Sequence, residues 1–163
     1  MKLYFIRHGK AGYDAPTGEA RPLTDVGVQQ AIDNGALLKA LNVQASAIYT
    51  SPRLRARQTA EYIGEALTCE PEITDDCNFD FSAKKALALA ARHAPDAELL
   101  FVGHNPSMSA VVTQLTGAQV ELPTCAIACV TRVHPGDLHA AILKWMVTPK
   151  LIAGLITLNT LNN

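Results

Sequence analysis

Short apolar runs alternate along this chain with longer segments whose apolar residues recur at helical spacing. Residues 3–6 suit a buried strand and stop abruptly at Arg7-His8-Gly9. A polar loop over 13–23 holds Pro16, Gly18 and Pro22, and Thr24 then stands where a helix N-cap is wanted. Val28, Ala31, Ile32, Gly35, Leu38 and Leu41 form one stripe, which predicts a helix to about residue 41. Residues 47–50 predict a second strand. Ser51-Pro52 predicts the start of a helix to about residue 67, since proline at the first helical position gives up no needed hydrogen bond.

The second half continues the pattern. Residues 72–74 predict a third strand, 75–80 an acidic loop, and Ser82 caps an Ala/Leu-rich helix that ends before Pro95. A strand over 98–102 follows, then a helix opened by Pro106 and closed by Gly117. Residues 126–132 and 140–147 predict two strands around the turn His134-Pro135-Gly136-Asp137, an edge hairpin. The apolar tail 149–163, with its polar tip, predicts a last helix. Strand–helix alternation of this kind predicts an α/β fold with a largely parallel sheet. Without repeats, low-complexity tracts or linkers, residues 1–163 are expected to form one domain.

Composition narrows the function classes. Of 163 residues, 48% are apolar and 18% charged, which excludes a disordered chain. The net charge of −1 without basic or acidic runs gives no footprint for nucleic acid or a membrane surface. The apolar run before Arg7 is too short for a signal-peptide core, and no stretch reaches membrane-span length. Cys69, Cys77, Cys125 and Cys129 lack CxxC spacing, so reduced core thiols in a monomeric cytoplasmic protein are expected. Trp145 is assigned to the core with them.

Three segments share one grammar, in which a strand ends, a cationic or reactive residue appears, and a loop or helix begins. They are FIRHG (5–9), YTSPRLRARQTA (49–60) and LFVGHNPSMS (100–109). Ligands of parallel α/β sheets sit at the carboxyl ends of strands. Arg7, His8, Arg55 and His104 are therefore expected at one edge, with two helix N-termini pointing the same way. Arginine offers paired donors matched to phosphate oxygens, and neutral histidine can donate or attack phosphorus. Gly9 would let the backbone turn closely around the bound group. A second Arg-His pair, Arg92-His93, lies at a helix end where a cation only complements the dipole, so the dipeptide alone carries nothing.

These segments, RHG, SPRLRARQTA and GHNP in this order, resemble the histidine phosphatase superfamily, and RPLTDVG at 21–27 resembles that family's entry to its first helix. The resemblance covers residues 3 to about 115. The short length, the RPLT segment and the strand pair near the C-terminus resemble its SixA-type phosphohistidine phosphatases. It implies a three-layer αβα sandwich of phosphoglycerate-mutase-like fold, its largely parallel sheet closed by an antiparallel edge. It also implies that His8 is a nucleophile that becomes phosphorylated, with Arg7, Arg55 and His104 binding the phosphoryl group. Gly9, Arg21 and Asn105 are expected to line the substrate site, and no metal or cofactor is implied. Arg53 and Arg57, on other helix faces, are expected to be solvated, as are His134 and His139.

One departure bears on mechanism. Many superfamily members carry a glutamate general acid in an insertion after the third strand, where this chain has only ITDDCNFDFS. Asp75, Asp76 and Asp80 are the substitutes on offer, and each reads equally as a solvated turn residue. A phosphohistidine can leave as neutral imidazole and does without a strong acid. The expected function is thus a phosphohistidine phosphatase acting on a phosphorylated, phosphorelay-type protein. A small-molecule phosphomonoester phosphatase and a non-catalytic phosphohistidine-binding module are the alternatives.

Overall fold

The structure is a computed structural model that describes residues 1–131, 133 and 141–161. Strand β1 (Lys2–Arg7) is followed by α1 (Asp25–Ala40), β2 (Ala45–Thr50), α2 (Leu54–Leu67) and β3 (Pro71–Ile73). A 3₁₀ turn (Asp75–Cys77), α3 (Ala83–Ala90), β4 (Glu98–Gly103), α4 (Ser107–Thr116), β5 (Ile127–Thr131), β6 (Ile142–Val147) and α5 (Pro149–Leu161) complete the order. The strands form one sheet in the order β3-β2-β4-β1-β5-β6. The first four run parallel, while β5 pairs antiparallel with both β1 and β6. The predicted turn at 134–137, with His134 and His139, lies outside the described residues.

Alternation along β1 sends its residues to two cores. Leu3 and Phe5 join Phe101, Met108, Val111 and Leu115 under α3 and α4, whereas Tyr4 and Ile6 join Leu38, Ile63, Leu100 and Ile152 under α1, α2 and α5. The result is the expected αβα sandwich with an antiparallel edge. Residue pairing aligns the strand ends, with Arg7 opposite Gly103 and Thr50 opposite Val102. The residues following β1, β2 and β4 therefore emerge together.

Helix α1 starts as expected, with the Thr24 hydroxyl accepting from Gly27 N at 3.1 Å. Its buried face keeps only Ala31, Gly35 and Leu38 of the expected stripe. Ile32 and Leu41 are exposed, and Gly27, Ala31, Asn34, Gly35 and Leu38 point inward. Small residues win because α2 packs so closely that a Cβ on Gly35 would lie 2.8 Å from Ala66 Cβ. Helix α2 begins at Leu54, with Arg53 and not Ser51 at the N-cap, and the fully buried Ser51 bonds His104 Nε2 at 2.8 Å. Trp145 and Cys69 are only half-buried. Edge strand β6 exposes alternate residues, and Trp145 covers Tyr4 with ring centroids 6.0 Å apart.

Candidate active site

The residue after β1, His8, is held by its own backbone. His8 N donates to Gly103 O on β4, and Cys125 N donates to His8 O ahead of β5. Its Nδ1 lies 2.7 Å from Gly9 O, a partner that only accepts, so Nδ1 carries the proton and Nε2 keeps its lone pair. Nε2 receives a hydrogen bond from Arg55 Nε at 3.1 Å. The guanidinium of Arg55 also donates to Gly18 O at 2.9 Å and approaches His104 Nδ1 at 3.4 Å. As arginine can only donate, Nδ1 of His104 is the accepting nitrogen, and Nε2–H donates to Ser51 Oγ at 2.8 Å. The two imidazole rings lie 5.2 Å apart.

Arg7 stands beside them. Its Nη1 donates to Leu122 O at 3.1 Å, the same carbonyl that accepts from Asn105 Nδ2 at 2.8 Å, and its buried Nε has no protein partner. Arg21 turns back along its loop, with Nε donating to Gly12 O at 2.7 Å. Electrostatics follow from this crowd of cations around buried rings. His8 is pushed down to about 4, by burial first and then by Arg55, Arg7 and Arg21, against the opposing pull of the Gly9 carbonyl. His104, 1% exposed, is pushed down to about 3 by burial, then by His8 and the charges of Arg55, Arg53 and Arg7. Both rings are thus neutral at pH 7. A phosphoryl dianion would offset the cations and raise both again.

Gln58 and Thr59 are what sequence reading missed. Gln58 Oε1 accepts from Leu23 N at 2.8 Å and so ties the 13–23 loop to α2. Thr59 Oγ1 accepts from Gly9 N at 3.0 Å and donates to Arg55 O at 2.7 Å, joining the first and second motifs through one hydroxyl. The helix N-termini sit at this edge, and some of their amides are bonded within the protein, Leu54 N to Glu19 O, Ala56 N to Arg53 O and Met108 N to His104 O.

Gly9 is buried where a Cβ would lie 2.7 Å from Gly27 O, so the missing side chain permits the close approach of α1. One expectation needs correction. Arg53 is no solvated arginine. Its side chain is 17% exposed, Nε donates to Asn78 Oδ1 at 3.0 Å, and the guanidinium carbon sits 4.2 Å above the Phe79 ring. Arg92-His93 lies away at the amino edge, where Arg92 pairs with Glu72 at 3.7 Å and His93 Nε2 bonds Tyr49 OH at 2.8 Å. Arg57 keeps to the surface with Glu61.

The acidic loop borders the site through Phe79, whose ring centroid is 4.7 Å from that of His104. Asp80 and Asp76 approach Lys85 at 2.7 and 3.8 Å, and Asp75 is exposed. Among the described residues no group of three or more His, Cys, Asp or Glu could hold a metal ion.

The model of the histidine phosphatase superfamily (branch 1) matches residues 3–78, which contain Arg7, His8 and Arg55. The chain is 30% identical over 157 residues to the phosphohistidine phosphatase SixA of Escherichia coli, covering 91% of this chain and 94% of that one. The chain belongs to the histidine phosphatase superfamily. It is a phosphatase with a catalytic histidine. An uncharacterised protein of Picosynechococcus sp. is 37% identical over 136 residues, 78% of this chain and 82% of that one. The solved structure of SixA complexed with tungstate superposes with a TM-score of 0.82 at 27% identity, over 92% of this chain and 98% of that one.

Proposed function

We propose that the chain is a phosphohistidine phosphatase whose substrate is a histidine-phosphorylated protein of the phosphorelay type, and that His8 carries the phosphoryl group between two steps. The observation that carries this reading is the pair of bonds on His8, Nδ1–H to Gly9 O at 2.7 Å and Nε2 to Arg55 at 3.1 Å. They leave a neutral imidazole with its lone pair on the nitrogen that meets the arginine donors. In the first step Nε2 attacks phosphorus while the bond to the substrate imidazole breaks. The other nitrogen of that imidazole titrates near neutrality, so it leaves neutral with a proton from solvent. Water then attacks phospho-His8, releasing phosphate and restoring the ring.

Arg7 and Arg55 hold the equatorial oxygens as charge grows on them, and His104 adds a donor once the bound anion favours its protonation. Arg21, Gly9 and Asn105 shape the surrounding site, the first by its charge and the other two by fixing the β1 loop and the Leu122 carbonyl. The whole chain acts as one catalytic domain, as a monomer in the cytoplasm, needing no metal, nucleic acid or membrane. Support comes from the name and tungstate complex of SixA and from four free thiols. A panel of a histidine-phosphorylated phosphotransfer domain, a phosphohistidine peptide, an aryl phosphate and an alkyl phosphate tests the reading. The expected order of kcat/KM places both phosphohistidine substrates first, and equal or faster cleavage of the alkyl ester would refute it.

A further inference from the structure

Among the described residues with exposed large apolar side chains, two are aromatic, Tyr13 at 87% and Phe79 at 51% exposure. Tyr13 stands on the loop between β1 and α1, and Phe79 follows the 3₁₀ turn, so both belong to connections beside the catalytic edge. Each ring is stacked with an arginine. The guanidinium carbon of Arg21 lies 4.2 Å from the Tyr13 centroid, and that of Arg53 lies 4.2 Å from the Phe79 centroid. The arginines are themselves anchored, Arg21 on Gly12 O at 2.7 Å and Arg53 on Asn78 Oδ1 at 3.0 Å. Arg53 also lies 3.7 Å from the exposed Glu19 carboxylate, a loose pair that a better partner can displace. The pairs flank the two reactive rings. The charge of Arg21 is felt at His8, and Phe79 packs against His104 with Arg53 behind it.

A phosphoryl group has no apolar surface for these rings to cover, so whatever they contact is what the phosphoryl group is attached to. One ring would serve a single imidazole, whereas two on separate connections suit a polypeptide. Aromatic and arginine side chains are the types that anchor protein interfaces. A ring already fixed by a stacked guanidinium loses little further freedom on binding.

We propose that Tyr13 and Phe79, backed by Arg21 and Arg53, form the docking rim for the polypeptide that carries the phosphohistidine. The inference rests on the phosphohistidine reading of the site. It makes the two rings determinants of specificity for protein-borne over free phosphohistidine. The matching partner surface sets aliphatic side chains against the rings and carboxylates against the two guanidinium groups.

The test compares kcat/KM on a histidine-phosphorylated phosphotransfer domain with kcat/KM on free phosphohistidine, for wild type, Tyr13→Ala, Phe79→Leu and the double variant. Leucine keeps an apolar cover over His104, and the exposed Tyr13 can be truncated without touching the core. The domain-to-free ratio should fall about fivefold in each single variant and tenfold or more in the double, chiefly through KM. An unchanged ratio, whether both substrates slow together or neither does, overturns the docking rim. So does a wild-type enzyme that cleaves free phosphohistidine as efficiently as the domain. A wild type that cleaves neither refutes instead the function on which the rim depends.

Discussion

At His8 the two ring nitrogens are given different tasks by their hydrogen bonds, and burial among three arginines keeps the ring neutral well below its usual range. Attack needs that neutral form. Activity should therefore persist as pH falls through 6.5 and fail only near 4, in kcat/KM corrected for spontaneous hydrolysis; an acid limb at 6.5 would contradict this. Stability moves the same way. His8 and His104 take up protons on unfolding, so stability is full above about pH 6.5 and falls as pH drops toward 4. Between pH 7 and 5 the loss should approach about 1 kcal/mol per pH unit for each histidine, and His104→Gln should flatten it in thermal melts. Arg55 bonds three partners through a fork that lysine cannot reproduce, so Arg55→Lys should lower kcat about 10²–10³-fold. The convergence of His8, Arg55 and His104 was legible because each stands in a segment that follows a strand. Arg53 was not, since Asn78 and Phe79, which hold it, reach it only by tertiary folding.

Elements posed a different problem. Strand–helix alternation and the caps Thr24, Ser82 and Gly117 were readable because each acts on its own neighbours. The face of α1 was legible only in part, because a stripe counted by apolarity admits Ile32 and Leu41 and passes over Gly27 and Asn34. Gly9 and Gly27 are the tightest case. A Cβ on Gly9 would meet Gly27 O, and one on Gly27 would collide with the Lys10 carbonyl that accepts from Thr24 N. Gly27→Ala should thus cost about 1–3 kcal/mol in denaturant unfolding and slow turnover by shifting the backbone next to His8, whereas an unperturbed variant would show the contact to be soft.

Across the whole molecule, the sheet order brings β1 and β4 side by side and delivers two histidines to one edge from positions far apart in sequence. That adjacency could be inferred from parallel-sheet rules, but not the order of the outer strands, which depends on pairings with no local signature. In the short connection after β3, Asp76 and Asp80 approach Lys85. Without a positioned acid, rates across phosphate monoesters should fall steeply with leaving-group pKa, and Asp75→Asn, Asp76→Asn and Asp80→Asn should leave phosphohistidine cleavage nearly intact. A loss of about 10²-fold or more in any of them, confined to poor leaving groups, would reveal a general acid. The central claim is the covalent step, and mass spectrometry of the chain quenched during turnover at alkaline pH tests it most directly. The account predicts one acid-labile, base-stable phosphate on His8, with both the phosphate and turnover lost in His8→Ala. Turnover that survives that substitution, or a phosphate found on another residue, would contradict it.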